Sequence, residues 1–551
     1  MKHNTQSFNT FYYSLLIFST ISFFLPGCGK TAKIGAQPLL DSVYITNYMN
    51  AQPKFKDDLV WAKNFYRERG FKLGWFKNHE IVPQAEKMLQ VLNKADEEGL
   101  DPKDYQIINF EEKLKELKDA KKDTAKVKEL EKEIDLGLSA TYFNWASDYY
   151  RGLVIPKKNP NVEWDVKRNK IKLHKALMTV LGERESKYPY ADFSPLHPQY
   201  ANLKKALARY RAIQAKGGWP TIPASTKIKP GESSPAVPLL RQRLADYLEP
   251  ADTANANNTV FDATLSAALK KFQEANGLKP DGGIGPSTIA KLNVPIQNQI
   301  RQIIINMERW RWIPKSFETD YIIVNIPEYK LRVIEKSQQV MDMKVIVGKV
   351  MHETPIFSDK MEYVVLSPYW NIPPNILRDE IAPKAMADPG WLDRMDMEVV
   401  TGKGTPVSPS AVDWSMAGEN GFKYVVRKRP GPKNDLGDVK FIFPNENNVY
   451  LHDTPHDELF SQAKRGFSHG CVRVEKPLDL ATYLLRNSGY DRSRIMQQIS
   501  TRKEKFVPLK QKLPVYLVYF TAAADDKGRV SFYDDIYGYD QKLATMYFSK
   551  L

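Results

Sequence analysis

The chain has 551 residues, 42% of them hydrophobic and 26% charged. That allows about two to four domains and excludes bulk disorder. Lys and Arg number 80 against 65 Asp and Glu, a net charge of +15, which suits nucleic acid, membrane lipid or an acidic polymer, or no such partner at all. The only cysteines, Cys28 and Cys471, exclude a disulfide scaffold and a Cys-rich zinc domain.

Lys2 and His3 precede an apolar stretch of 15 residues, Phe11 to Leu25, short for a membrane span and suited to the core of an export signal. It ends in Leu25-Pro26-Gly27-Cys28, which resembles a bacterial lipobox, although Pro26 departs from the usual small or branched residue. Residues 1–28 are thus expected to be a lipoprotein signal peptide with Cys28 as the lipidated residue. The protein would then be anchored to a membrane and face the periplasm. An uncleaved N-terminal anchor is the alternative, and both put the rest of the chain outside the cytoplasm. Cys471 is then the one thiol left, and its surroundings differ too much from those of Cys28 to favour a disulfide.

Residues 29–52 read as a tether, and residues 53–230 as mainly helical. Pro83 opens a helix carrying Met88, Leu89 and Leu92 that stops near Gly99. Residues 111–136 are dense in Lys and Glu, with a thin stripe of Leu114, Leu117, Val127, Leu130 and Ile134, and read as a solvated helical face. A Pro-rich linker spans Ile222 to Pro238. In the compact unit 235–294, Val237, Leu240, Leu244 and Leu248 are spaced for one helix face. Leu265, Ala268, Leu269 and Phe272 make a second helix stopped by Gly277, and Ile289 and Leu292 begin a third. A helix returns over 297–316, with Trp310-Arg311-Trp312 near its end. From 318 to about 540 the pattern is mostly strands, including Tyr321–Ile326, Leu331–Ile334, Met343–Val347, Tyr363–Leu366, Val449–His452 and Val515–Phe520.

Within 235–294, the string Ala267-Ala268-Leu269-Lys270-Lys271-Phe272-Gln273 is followed by Asn276-Gly277-Leu278, Asp281-Gly282 and Gly285-Pro286-Ser287-Thr288. This unit resembles a three-helix peptidoglycan-binding domain; a helical spacer of similar pattern is the alternative.

Two segments carry chemistry: Tyr450-Leu451-His452-Asp453-Thr454-Pro455 and Phe467-Ser468-His469-Gly470-Cys471-Val472-Arg473. A thiol with a pKa of about 8.5 is only partly ionised at neutral pH, and an imidazole that takes its proton raises the nucleophilic fraction. His452, 19 positions before Cys471, ends a predicted strand that would hold its ring. Gly470 permits a sharp turn aiming the amides of Gly470 and Cys471 at one point, an oxyanion site worth about 3–4 kcal/mol per donor in other enzymes. Pro477 opens a helix bearing Leu478, Ala481 and Leu484, which puts Cys471 in a short link between strand and helix. From these residues alone, a metal site of His452, His456, His469 and Cys471 also stands, though not at structural zinc spacing. So does a buried structural cysteine with surface histidines.

The pattern His-x15-Ser-His-Gly-Cys-x-Arg from His452 to Arg473 resembles the signature of the L,D-transpeptidases with a YkuD-type catalytic domain. Other strings are similar to the large, multidomain branch of that family. They include Val347-Gly348-Lys349, Thr354-Pro355-Ile356-Phe357, Tyr369-Trp370-Asn371-Ile372-Pro373-Pro374, Leu436-Gly437, Lys440-Phe441 and Phe443-Pro444-Asn445. Together the likeness spans roughly residues 60–540.

The resemblance implies a multidomain α+β protein. Its parts would be a helical scaffold, a three-helix peptidoglycan-binding-like module, and a mostly-β catalytic domain with a lid inserted at about 370–440. It implies Cys471 as nucleophile, with His452 as general base oriented by the backbone carbonyl of Asp453. His469, Gly470 and Cys471 would form the oxyanion site, and Ser468 would support the loop. Arg473 would shape the pocket or hold a carboxylate, and Trp370 and Asn371 would line it. The implied reaction releases terminal D-alanine from a tetrapeptide stem, forms a thioester, and transfers the acyl group to a side-chain amine as a 3→3 cross-link. An L,D-carboxypeptidase using water, or a non-catalytic wall-binding lipoprotein, are the alternatives. The implied partners are peptidoglycan stem peptides and glycan, with carbapenem-type β-lactams as inhibitors. No cofactor, metal or nucleic acid is expected.

Overall fold

The computed structural model describes residues 36–549 except 108, 121, 160–163, 167–169, 188, 191, 192, 194–196, 249–256 and 314–316. The expected signal peptide, Cys28 and the start of the tether lie outside the described residues. Among the described residues, no helix is long and apolar enough to cross a membrane.

The N-terminal part is helical because its apolar residues recur at turn spacing. Helix α1 (Ser42–Ala51) is capped by the Asp41 carboxylate, which accepts the Val43 and Tyr44 amides. Ile45 and Met49, one turn apart on α1, are fully buried. The stretch read as a tether is thus packed into the protein from about residue 40 onward. Next come α2 (Leu59–Glu68), a hairpin of β1 (Phe76–Lys77) and β2 (Glu80–Ile81), α3 (Pro83–Asn93), α4 (Phe110–Asp119) and α5 (Thr124–Arg151). The Lys- and Glu-rich α4 buries none of its residues. By contrast, α5 is buried along its middle, and its Asp135 carboxylate accepts the Tyr66 hydroxyl and the Gly74 and Trp75 amides. Helices α6 (Leu173–Val180) and α7 (Pro198–Ala215) complete this layer.

Helices α8 (Val237–Arg243), α9 (Ala263–Ala275) and α10 (Pro286–Leu292) enclose a separate core of Val237, Leu240, Leu244, Leu265, Leu269, Phe272 and Leu292. Ile222 and Ile228 belong to the same core, and the Asn293 side chain bonds both backbone groups of Ile222. The Pro-rich segment is therefore part of the module, not a linker. The first helix is also shorter than its spacing suggests: α8 stops at Arg243, and a tight 3₁₀ turn over Ala245–Tyr247 follows.

Helix α11 (Ile296–Trp312) is buried nearly all round and holds a fully buried Arg311–Glu308 ion pair at 2.8 Å. It leads into the strands β3 (Tyr321–Asn325), β4 (Lys330–Glu335), β5 (Gln338–Gly348) and β6 (Ser358–Leu366). Further on are β11 (Val439–Ile442), β12 (Leu451–His452), β13 (Gly466–Ser468), β14 (Val472–Val474) and β15 (Lys505–Val518). These form one sheet in the order β13-β5-β14-β12-β11-β6-β15-β3-β4. The long β5 pairs with β4 over its first part and with β14 near its end. The sheet thereby closes on itself, which removes most exposed edges. Helices α13 (Pro477–Leu485) and α14 (Arg492–Ser500) pack on it, and the terminal α15 (Tyr539–Phe548) packs on α11, where Asp540 pairs with Arg309. A single apolar core runs from the N-terminal helices into this sheet.

Between β6 and β11 the chain leaves the sheet and forms a second one from β7 (Trp370–Asn371), β8 (Met397–Thr401), β9 (Pro406–Val407) and β10 (Tyr424–Lys428). With α12 (Ala382–Ala387) it encloses a third core that includes Leu377, Leu392, Val399, Trp414 and Val426. The molecule is a multidomain α+β protein.

Candidate active site

The site is built where β12 runs parallel to β14. His452 pairs with Arg473 on β14 and with Lys440 on β11, so these three residues form one row across the sheet. Side chains alternate along a strand. Leu451, Val472 and Phe441 therefore turn into the core, fully buried, and the Lys440–His452–Arg473 row occupies the other face. Tyr450 and Cys471, each two residues before a member of that row, extend the same face.

Cys471 does not sit between strand and helix. Strand β13 ends at Ser468 and β14 begins at Val472, so His469, Gly470 and Cys471 link two strands, and α13 starts only at Pro477. Gly470 adopts φ +112°, where a side chain would be strained. The Ser468 hydroxyl donates to the Cys471 carbonyl at 2.5 Å and accepts the Gly470 amide at 3.2 Å. Fully buried Thr354 donates to the Gly470 carbonyl at 2.8 Å and accepts the Gly348 amide at 2.9 Å. The Gly470 amide, expected to share an oxyanion site with that of Cys471, is engaged by the Ser468 hydroxyl in this structure.

The thiol donates toward the Asn448 carbonyl at 3.9 Å. It is also met by the Tyr450 amide and hydroxyl. Burial pushes the thiol above the usual cysteine range, against the opposing pull of these two donors and of Lys440 and Arg473. His452 is buried, with Nδ1 2.5 Å from the Asp453 carbonyl. Nδ1 therefore carries the proton and Nε2 the lone pair. Burial, then Arg473 and Lys440, push His452 down to about 3 despite the Asp453 carbonyl. Thiol and imidazole are accordingly both neutral at pH 7. No hydrogen bond joins His452 to Cys471 among the described residues; the Tyr450 ring lies 5.7 Å from that of His452, and its hydroxyl reaches the thiol. Proton transfer requires the thiol to turn from Asn448 toward Nε2.

The Asp453 carboxylate accepts the Asp438 and Thr454 amides, each at 2.7 Å, and burial raises it to about 6. Trp370 of β7 hydrogen-bonds the Tyr450 hydroxyl, which brings the inserted sheet to the site. Asn371 is exposed and pairs with Arg427 in that sheet, without a hydrogen bond to the cysteine loop among the described residues. His469 meets the inserted segment and a neighbouring loop: its Nε2 lies 2.9 Å from Glu380 and its ring 4.8 Å from that of His352. His456 is exposed, with Nδ1 3.5 Å from Glu458. Among the described residues, no group of three or more His, Cys, Asp or Glu side chains is placed to hold a metal ion, the four residues of the metal alternative included.

Sequence reasoning missed Tyr450, Lys440, Thr354, Asn448 and Glu380. Tyr450 had a local signal, standing two positions before His452 in a strand. The others depend on strand pairing or on loop contacts distant in sequence.

Residues 319–502 match the family described as "L,D-transpeptidase catalytic domain". The chain carries an L,D-transpeptidase catalytic domain. Residues 61–207 match the "Scaffold domain" that precedes it, and residues 233–292 match the "Putative peptidoglycan binding domain". A protein of Haemophilus influenzae (strain ATCC 51907 / DSM 11121 / KW20 / Rd) named "Putative L,D-transpeptidase" is 35% identical over 246 residues, 45% of this chain and 49% of that protein. The match thus spans about half the length of that relative. Two solved L,D-transpeptidase structures also overlap the chain. The Xylanimonas cellulosilytica DSM 15894 structure is 15% identical and covers 54% of this chain and 99% of its own, with a TM-score of 0.17. The Stackebrandtia nassauensis structure is 13% identical and covers 53% and 97%, with a TM-score of 0.19. The L,D-transpeptidase domain contains every element of the row described above.

Proposed function

We propose that this protein is a peptidoglycan L,D-transpeptidase that forms 3→3 cross-links through a thioester on Cys471. The reading is carried by the neutral Cys471–His452 pair on one sheet face, with Nδ1 of His452 committed to the Asp453 carbonyl. Nε2 takes the thiol proton as Sγ attacks the carbonyl between a diamino acid's L-centre and terminal D-alanine. The Cys471 amide and the Tyr450 hydroxyl face the developing oxyanion. Collapse breaks the C–N bond, His452 returns the proton to the departing D-alanine nitrogen, and the acyl group stays on sulfur. The side-chain amine of a second stem then attacks the thioester, the thiol recovers its proton, and the cross-link forms. Arg473 and Ser468 would support substrate and loop, and carbapenem-type β-lactams would acylate the same sulfur.

The module at 222–293 would hold the enzyme on the wall polymer and raise local substrate concentration. Export by the N-terminal segment, with lipid on Cys28 facing the periplasm, completes the proposal. Incubation with disaccharide-tetrapeptides and mass spectrometry of the products tests it. A cross-linked dimer lacking one D-alanine is the expected product, tripeptide alone would mean that water is the acceptor, and unchanged substrate would overturn the reading.

One glycine bears on the base. Gly437 sits at φ +61°, and a Cβ there would fall 2.3 Å from the Asp453 carboxylate. Gly437→Ala should therefore displace Asp453 and loosen His452. The expected cost is about 1–3 kcal/mol in thermal denaturation, with slower acylation of Cys471. Wild-type melting and acylation would show that the Asp453 loop does not hold the base.

A further inference from the structure

The face around Cys471 carries two cations whose charge is not met by a carboxylate at contact. Lys440 is half-buried, and its ammonium lies 3.8 Å from the centroid of the Tyr450 ring. It makes no hydrogen bond or ion pair among the described residues; Glu504 and Cys471 act on it only through space. Arg473 is half-buried, and its Nε has no partner. The carboxylate acting on Arg473 is that of Asp435, which is taken by the Lys428 ammonium at 2.6 Å. Keeping a cation from water without a counter-ion is costly. Here the cost is borne beside the nucleophile, where an anionic ligand would remove it.

We propose that Lys440 is a specificity residue that takes the free terminal carboxylate of the acyl donor's leaving residue. This rests on the reading of Cys471 as the acylated sulfur. In a peptide, the attacked carbonyl carbon and the carboxylate carbon of the following residue are three covalent bonds apart, within about 4 Å. A cation standing over Tyr450, whose hydroxyl touches the thiol, is therefore within reach of that carboxylate when the carbonyl lies on Sγ. Lys440 and Arg473 flank His452 on adjacent strands, so the carboxylate would enter on the base's own row. The ligand class is a peptide ending in a free α-carboxylate; chain-internal peptide bonds, which lack that charge, would be rejected. The alternative is that Lys440 acts only by favouring the thiolate.

Two tetrapeptide donors that differ only in a terminal carboxylate or carboxamide separate these roles. Acylation of Cys471 in the full protein is followed by mass spectrometry as kcat/KM for each donor. Wild type should prefer the acid by about ten- to a hundredfold, the range of a hydrogen bond to a charged group. Lys440→Met, which keeps the aliphatic stem over Tyr450, should reduce that preference to within about threefold, and Lys440→Arg should restore part of it. A loss of thiol reactivity lowers both donors equally and leaves the ratio unchanged, so an unchanged ratio in Lys440→Met overturns the proposal. Equal rates for the two donors in wild type would overturn it without any variant, whether or not Lys440→Met folds. Acylation by neither donor would defeat the reading of Cys471 itself, and the carboxylate seat with it.

Discussion

Cys471→Ala should abolish covalent capture of acyl donors and lower cross-linking by about 10⁴-fold or more, the scale on which removal of a nucleophile acts elsewhere. Cys471 is the sole thiol among the described residues. Ser468, the neighbouring hydroxyl, cannot take over. It is buried and committed to the Cys471 carbonyl and the Gly470 amide, so its proton is already engaged and its position is fixed by the loop. The substitution removes one sulfur from a loop held by Ser468 and Thr354, so the fold should melt within about 1 kcal/mol of wild type. Intact-protein mass after incubation with a β-lactam reads the first effect, and a melting curve reads the second. An adduct formed at the wild-type rate would mean that the nucleophile lies elsewhere.

His452→Ala should slow acylation by about 10²- to 10⁴-fold, the range of a general base. His456→Ala should stay near wild type, because His456 is exposed and faces Glu458. Read from the sequence, His452 stands outside any core-periodic position; in the structure it is 5% exposed. Its removal should therefore also cost about 1–2 kcal/mol of stability. The sign of the pKa shifts adds a pH test. His452, pushed down to about 3, stays neutral across the physiological range, and the buried thiol lies above its usual value. Alkylation of Cys471 by iodoacetamide should therefore be slow at pH 7 and still rising at pH 9. A plateau reached below pH 7 would indicate a thiolate–imidazolium pair already formed, and the neutral-pair mechanism would fail.

The architecture was legible wherever function and pattern are local. The apolar spacing of Leu265, Leu269 and Phe272 gave the second module helix, and the strand preceding Asp453 brought His452 to its end. What was not legible depended on contacts distant in sequence. Ile222 and Ile228 sit in a Pro-rich run that reads as a linker, yet both are buried in the module core, and Ile222 is held there by Asn293, 71 residues away. Ser42 to Ala51 looks like tether, yet as α1 it packs on α2 and α5 and buries Ile45 and Met49. Gly470 suggested a pair of converging amides, but Ser468 two positions earlier engages one of them. Lys440 lies 12 residues before His452, and only the β11–β12 register makes them neighbours. The inserted sheet reaches the site through Trp370 on Tyr450 and Glu380 on His469, and only its own fold brings those two residues there.

The inserted sheet and the module differ in how they bear on chemistry. The first has its own core and meets the site through Trp370 on Tyr450 and Glu380 on His469. The second is tied to the C-terminal part by contacts such as Lys291 with Asp534 at 2.6 Å, and among the described residues no hydrogen bond or ion pair joins it to the cysteine loop. A change in the module should alter action on intact wall more than acylation by a small donor.

The most direct measurement is the mass of the Cys471 peptide from wild-type protein quenched in acid during turnover of a disaccharide-tetrapeptide. The expected result is an adduct on Cys471 equal to the donor minus one alanine, released by hydroxylamine as a thioester would be. Turnover of the donor with unmodified Cys471, or an adduct on another residue, would contradict the account.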